Sequence, residues 1–428
     1  MIDGINPFTP ANHMATIHPF RAFRPAPDVA ARVAAVPYDV VTTLEARRLA
    51  DAEPLSFLKV LRAEIDLPST ENPYAPSVYN RAVQNFETLT QAGRYAFEAE
   101  SSLYCYQLTT ATHEQTGVAM CCSLDEYEDG LVKKHEHTRR DKEDDRTRHM
   151  LALGAQTGTV FLTYRALTTI DDLVDRTCEE GPIYDFEASD NVRHRLWRVS
   201  SELKKEIVHE FRSVPALYIA DGHHRVASAA RARVELRKKG MSMGNGGSMA
   251  RHDVFLAVAF PDQQVQVLPY NRTVRDLAGM NVEEVLARLR SKYVVRPGLP
   301  MPTCRGNVSM YLGGEWHVIS LNVAENEEPK DKRVARLDVA RLQENILEPL
   351  LKVVDVRTDP RVEFVGGSRG IVELEARVES GQAAIAFSLH PVDLEDLMTI
   401  ADEGGMMPPK STWFEPKLRD GLLIHMIK

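Results

Sequence analysis

A chain of 428 residues, 43% hydrophobic and 26% charged, has the composition of a soluble globular protein and length enough for two or three domains. Its 52 basic and 61 acidic side chains leave a net charge of −9, which argues against a constitutive binder of nucleic acid or of an anionic membrane and favours small-molecule chemistry. No apolar run reaches the roughly 20 residues that span a bilayer, the start MIDGINPFTP lacks the basic and apolar regions of a signal peptide, and five cysteines without C-x-x-C spacing read as reduced core residues, so the expected location is cytoplasmic.

In chain order, Val33 to Val41 ends in Pro37-Tyr38-Asp39, Thr42 or Thr43 caps a helix over Leu44 to Asp51, and Ser56 to Leu61 reads as a strand. A helix is expected around Ser77 to Ala92. Leu103 to Leu108 and Thr116 to Ser123 are short and apolar with a polar stretch between them, the pattern of paired strands. Phe161 to Tyr164 is another strand, and Arg193 to Phe211 reads as a charged amphipathic helix leading to a buried strand at Leu217 to Ala220. Gly240 to Ser248 is flexible punctuation; Val254 to Phe260 and Gln264 to Pro269 read as a hairpin laid beside Leu217 to Ala220. A new helix from Val282 to Tyr293 and a long helix at Leu337 to Val353 suggest a second region. The expected class is therefore α+β (mixed α/β), with one domain over residues 1–278 and an α+β region over 279–428 whose tail docks back on the first.

Tyr218-Ile219-Ala220-Asp221-Gly222-His223-His224-Arg225 carries the strongest chemical signal. A strand that stops at an Asp-Gly turn and starts a helix places a carboxylate, two imidazoles and a guanidinium at a helix N-terminus, where backbone N–H groups and the helix dipole favour anions. Asp-Gly is also a common turn dipeptide, so the cluster alone is not decisive. Gly222, His223, His224 and Arg225 suit phosphate, and Asp221 would repel it unless a Mg²⁺ lies between them.

Two further constellations follow. Lys133-Lys134-His135-Glu136-His137-Thr138, with Lys142 to Arg146 behind it, is either a solvated charged loop or a positioned one; it is not H-E-x-x-H, so a zinc-protease reading fails. In Met407 to Lys417, Lys410, Ser411, Thr412 and Lys417 suit phosphate or carboxylate, while Trp413 and Phe414 would equally anchor the segment. Asp39, at a strand end, and Glu45, behind it, are each fit to act as a general base. Gly366 to Gly370 is a glycine-rich turn with one arginine. The common nucleotide motifs, G-x-x-x-x-G-K-[ST], G-x-G-x-x-G after a strand and H-R-D, do not occur.

Six ordered blocks, VAAVPYDVVTTLEAR, PLSFLKVLRAEIDLP, KKHEHTRRDKEDDR, YIADGHHRVASAA, LPYNR and MPPKSTWFEPKLRDGL, resemble the bacterial and archaeal family catalogued as domain of unknown function 1015 and run from near residue 18 to the end. The resemblance implies a ParB/sulfiredoxin-like core with insertions. Within that superfamily the D-G-H-H-R form is similar to that of free-serine kinases, which phosphorylate L-serine to O-phospho-L-serine with ATP or ADP. It implies that Asp221, His223, His224 and Arg225 surround the nucleotide phosphates and a Mg²⁺, with the two histidines and Arg225 on the transferring group. The kinases' N-terminal glutamate base sits in an H-E pair that this chain lacks in the matching region, so Asp39, Glu45 and Glu136 are the candidate bases, Asp39 first. Lys134, Lys410, Ser411 and Thr412 are the candidates for extra contacts. The expected partners are a nucleotide and a small amino acid, with no membrane, no nucleic acid and a homodimer as the assembly to test. Two other readings stay open: a nucleotide hydrolase or phosphatase with water as acceptor, and a CTP-switched ParB-like binding protein, for which no helix-turn-helix or basic face is evident.

Overall fold

The computed structural model describes residues 14–241, 249–321 and 333–428, so most of the glycine-rich insertion (residues 242–248) lies outside the described residues. The fold is mixed α and β, and contacts divide the chain into two units. The first holds the described residues up to Lys134, Thr138–Val265 and Pro416–Lys428; the second holds His135–His137 and Gln266–Glu415. The division falls between Val265 and Gln266 rather than near Ala278. Among the described residues no helix is long and apolar enough to cross a membrane, and all five cysteines are free thiols.

The first unit is built on a nine-stranded sheet. Its strands are β1 (Ile17–His18), β2 (Tyr104–Thr109), β3 (Glu114–Ser123), β4 (Val132–Lys133), β5 (Val160–Tyr164), β6 (Tyr184–Glu187), β7 (Arg193–Arg198), β8 (Leu217–Asp221) and β9 (Val254–Pro261). The order is β4-β8-β5-β9-β3-β2-β7-β6, with β1 also on β3. Every residue of β9 is buried, and it runs parallel to β5 on one side and antiparallel to β3 on the other, which suits its unbroken apolar sequence. The helices that matter for the site are α1 (Thr43–Ala52), α2 (Pro76–Ala92), α3 (Arg140–Leu153), α4 (Ser201–Glu210) and α5 (His223–Lys238). Thr42 and Glu45 close a capping box at the start of α1, and α2 begins on Pro76 and buries Val78, Ala82, Phe86 and Leu89. Ala227, Ser228, Ala229 and Ala232 are buried on α5, small side chains that let α3 approach closely; Ser228 Oγ donates to Glu143 O (3.3 Å) and Arg231 pairs with Glu143 (3.1 Å).

Several sequence expectations change. Arg193 to Phe211 is not one helix: His194, Leu196 and Trp197 are buried in strand β7, and only Ser201–Glu210 is helical, capped by Ser200. The charges masked the strand. Ser56 to Leu61 is not a strand but leads into a helical turn, Leu58–Leu61, with Ser56 Oγ accepting from Leu58 N. The expected hairpin does not form, because β9 lies one strand away from β8, across β5, and Gln266–Val274 belongs to the other unit's sheet. Asp262 accepts from Ala166 N (3.0 Å) and Gln264 from Thr116 N (2.8 Å), which fixes the turn after β9 in another direction.

The second unit carries a seven-stranded sheet of β10 (Gln266–Val274), β11 (Val294–Pro297), β12 (Asn307–Leu312), β13 (Glu315–Ser320), β14 (Val362–Gly366), β15 (Ile385–Leu389) and β16 (Thr412–Glu415). Its order is β11-β13-β12-β15-β10-β14, with β16 on β10. Because β10 pairs with β14, β15 and β16, the chain joins this unit at Gln266. Asn281 and Glu284 form the capping box of helix α6 (Val282–Arg290). The expected long helix at Leu337 to Val353 is broken into Asp338–Leu342 and a π-helical turn, Gln343–Leu347, just before Pro349, which has no N–H to continue it.

The last residues, Pro416–Lys428, belong to the first unit. Ala35 and Asp420 exchange backbone hydrogen bonds (3.1 and 2.9 Å), Phe23 and Ile424 do the same (3.0 and 3.1 Å), and His425–Met426 pairs with Ala155–Gln156. Gly421 makes this path possible: its φ is +89°, and a Cβ there would lie 2.7 Å from Phe57. Gly421→Ala is expected to cost about 2–4 kcal/mol, from backbone strain and overpacking together. A urea midpoint equal to that of wild type would contradict this reading of the tail.

Candidate functional site

At the end of β8 the register against β5 shifts between Ile219 and Asp221, a bulge that re-aims the strand end. Gly222 follows with φ +101° and ψ 24°, a left-handed conformation, and its carbonyl accepts from Arg225 N (2.8 Å) and Val226 N (3.2 Å) to start α5. The strand, turn and helix read from the sequence are therefore present. The N-terminal end of α5 carries partial positive charge. Asp221 Oδ2 receives Lys417 Nζ at 2.6 Å while its side chain stays 39% exposed. His223 is buried, and His224 Nε2 accepts from Arg139 N (2.9 Å), which places the ring proton on Nδ1.

Arg225 points away from solvent. Its Nη1 donates to Thr159 O (2.6 Å) and its two terminal nitrogens reach both oxygens of Asp420 (3.3 and 3.1 Å), a residue with no solvent exposure. Burial alone would lower the guanidinium pKa, yet Asp420, Asp39, Tyr38 and Asp221 together hold it above its ordinary value. Burial pushes the Asp420 carboxyl up to about 6, with Arg225 pulling the other way. Gly158 gives the guanidinium its room, since a Cβ there would lie 2.9 Å from Arg225 Cζ.

The Tyr38 ring joins this pair to α3. Arg146 lies over it at 4.4 Å and Arg225 at 5.9 Å, both within cation–π range. Lys142, Asp145, Arg146 and His149 fall at i, i+3, i+4 and i+7 along α3, hence on one helix face. Asp145 accepts from Tyr79 Oη (2.9 Å) and pairs with Arg146 (2.7 Å). His149 Nε2 donates to Val60 O (2.8 Å), leaving Nδ1 as the acceptor, and burial together with Arg146 lowers its pKa to about 4. The turn after Tyr38 is tied by Arg62, which donates to Tyr38 O (2.7 Å) and Val41 O (2.8 Å) while pairing with Glu64 (2.6 Å).

These groups surround a cavity of about 320 Å³. Its ionic lining is Asp39, Glu64 and Asp145 against Arg62, Lys142 and Arg146, three charges of each sign, with neutral His149 beside them. A smaller space of about 40 Å³ continues past Tyr38 and Arg146 to Gly158, Arg225 and Asp420. Asp39 is exposed at the rim and makes no hydrogen bond or ion pair with the described residues, so its carboxylate is open to a ligand.

The structure brings Asp39, Asp221, Gly222, His223, His224 and Arg225 into one unit. It redefines others. Glu45 is committed to the α1 cap, where it accepts from Thr42 N (2.7 Å), and is not free to act as a base. Asp39 sits in a turn rather than at a strand end. Arg225 is chiefly an ion-pair partner of Asp420, and Lys134 Nζ lies 4.2 Å over the Tyr127 ring. Glu136, Lys410, Ser411 and Thr412 belong to the second unit, where Ser411 Oγ donates to Pro408 O (2.6 Å) and Lys410 Nζ lies 5.3 Å over Tyr270. Sequence reasoning missed Tyr38, Arg146, His149 and Asp420 as site residues, and named Lys417 as suited to phosphate or carboxylate without its Asp221 partner. Arg146 and His149 had a signal: the polar spacing 142/145/146/149 fits one helix face, whereas the charged run reads as a loop. Asp420 had none, because nothing local marks a partner 195 residues away.

A strand, a left-handed glycine and a helix N-terminus thus share one unit with a charge-balanced cavity in a mixed α and β fold. The model of the family described as "Protein of unknown function (DUF1015)" matches residues 17–340, and the chain belongs to that family. No curated protein matches the chain. Among solved structures, SbnI with C-terminal truncation from Staphylococcus aureus is similar at 11% identity and a TM-score of 0.39, covering 72% of this chain and 87% of that one. A conserved hypothetical protein from Pyrococcus furiosus follows at 14% identity and a TM-score of 0.36, with 74% and 98% covered. A free serine kinase in complex with AMP is similar at 13% identity and a TM-score of 0.34, with 74% and 95% covered.

The state of His149 has a consequence for stability. Its folded pKa of about 4 lies below the unfolded value near 6.5, so it contributes stability above about pH 6.5 that is lost as pH falls towards 4. His149→Gln keeps a donor for Val60 O and does not titrate. Its urea midpoint is therefore expected to change less than that of wild type between pH 7 and pH 4; parallel curves would mean that the imidazole is not buried in its neutral form.

Proposed function

We propose that the protein is a phosphotransferase that moves a phosphoryl group from ATP or ADP to the hydroxyl of a free amino acid, L-serine, giving O-phospho-L-serine. One observation carries the reading: an open carboxylate, Asp39, stands at the rim of a charge-balanced cavity and within electrostatic reach of Arg225, which lies in the first turn of α5. A zwitterion suits a cavity with three charges of each sign, because its ammonium and its carboxylate each find an opposite partner. Phosphate suits the N-terminus of α5, beside which Lys417 offsets the Asp221 carboxylate that would otherwise repel it. The D-G-H-H-R resemblance to free-serine kinases supports the same assignment, and the ParB/sulfiredoxin core and cytoplasmic location belong to this reading.

In the reaction, the serine Oγ–P bond forms as the P–O bond to the departing nucleotide breaks, and Asp39 accepts the hydroxyl proton. Such a transition state needs alignment and charge neutralisation more than covalent help. His223 and His224, at the first two positions of α5, flank the phosphates. Arg225 acts mainly by position: tied to Asp420 and lying over Tyr38, it fixes the turn that presents Asp39. Asp221, part-exposed and paired with Lys417, is a hard oxygen donor of the kind that holds Mg²⁺, which when bound would neutralise phosphate charge.

The test is phosphorus NMR of the protein with Mg²⁺, ATP or ADP, and L-serine, beside a tube without serine. A serine-dependent phosphomonoester signal is expected; free phosphate in both tubes would replace the kinase reading by hydrolysis, and intact nucleotide throughout would remove it. Asp39→Asn is expected to lower kcat about 10²–10⁴-fold while nucleotide affinity holds; a kcat near that of wild type would exclude Asp39 as the base. Asp221→Asn that keeps full Mg²⁺-dependent activity would exclude the metal role.

A further inference from the structure

Arg272, the arginine of the LPYNR block, lies on β10 in the second unit and is 1% exposed. Its Nη1 donates to Tyr270 O (2.7 Å), and its Nη2 donates to Pro409 O (3.2 Å) and Lys410 O (3.3 Å). The Phe364 ring lies 5.2 Å from Cζ. No carboxylate among the described residues pairs with it. Burial draws its pKa down to about 9, with Tyr270 opposing.

The other deeply buried arginines of this chain are treated differently. Arg225 has Asp420, Arg233 has Asp125 and Glu128, and Arg419 has Asp190. A buried ion without a counter-charge costs several kcal/mol, and carbonyl partners satisfy hydrogens without neutralising the charge. A neutral donor would have tied the Pro409 and Lys410 carbonyls at less cost.

Arg272 also lines a cavity of about 290 Å³, whose walls include Val339, Ala340, Val356, Pro408 and Pro409. The π-helical turn Gln343–Leu347 contributes Gln343 and Glu344 to it, and π-turns of this kind are frequent at functional sites. We propose that this cavity binds a small organic carboxylate with a branched apolar body, its carboxylate neutralising Arg272 and its hydrocarbon filling the Val339–Val356–Pro408 wall.

The probe is 4-methylpentanoate, titrated into the full-length protein by NMR or calorimetry, with 4-methylpentanol and inorganic phosphate as the neutral and the purely ionic arms. Saturable binding of the carboxylate is expected, with the alcohol at least about tenfold weaker and phosphate silent. Arg272→Met is expected to fold with an unchanged or higher melting temperature and to lose the carboxylate at least about tenfold. Ala335→Leu narrows the same cavity without touching the guanidinium and should lose binding with melting unchanged. The proposal is overturned if wild type shows no saturable binding on the order of millimolar, if alcohol and carboxylate bind alike, or if both variants bind the probe as wild type does. It is equally overturned if Arg272→Met melts lower while Ala335→Leu still binds, for Arg272 would then be a tie for the Pro409–Lys410 backbone.

Discussion

The buried ion pair between Arg225 and Asp420 is the constraint on which the first unit's site depends. It joins the first turn of the helix after Gly222 to a segment 195 residues later, in an environment where either charge alone would be costly. Once the two are paired, the tail has one path: Asp420 exchanges backbone hydrogen bonds with Ala35, three residues before Tyr38, and Gly421 turns the chain past Phe57. Tyr38 then lies under two guanidiniums, and its hydroxyl is held above the ordinary range by burial and by the Asp39 carboxylate. Position at Asp39 is thus set by contacts it does not itself make.

Charge balance explains what such a site can accept. Arginines that look like anion receptors in the sequence are largely spoken for in the fold: Arg225 by Asp420, Arg146 by Asp145, and Arg62 by Glu64 and two carbonyls. The cavity beside them presents neither a cationic nor an anionic face, which favours a ligand carrying both signs over a simple phosphate. Partial positive charge is left to the helix N-terminus, where Lys417 offsets the Asp221 carboxylate. On the proposed reading, phosphate and zwitterion would take chemically distinct parts of one unit.

How much of this was legible in the sequence depended on range. The paired strands β2 and β3, the threonine cap of α1, the start of α6 at Val282 and the β8–Gly222–α5 transition were legible because each rests on local chemistry: alternation or apolar runs, a side chain reaching three residues, a glycine at positive φ. Arg193–Arg198 was misread because its exposed arginines hid the buried His194, Leu196 and Trp197. The run from Lys142 to Arg146 reads as a loop because its charge density masks the helical spacing that continues to His149. Asp420 could not be read at all, and Lys417 only as suited to phosphate or carboxylate, since the ion pairs they make exist only through tertiary contact. Family blocks did mark the places that matter, with LPYNR and the C-terminal stretch among them, but not what their residues touch.

The most direct measurement is a crystal structure of the full-length protein with ADP and Mg²⁺. The β-phosphate is expected at the N-terminus of α5, against the backbone of Gly222 to His224, with the Asp39 carboxylate facing it across the charge-balanced cavity and the Arg225–Asp420 pair intact. ADP bound elsewhere with that helix end untouched, or a phosphate that displaces Asp420 from Arg225, would contradict the account.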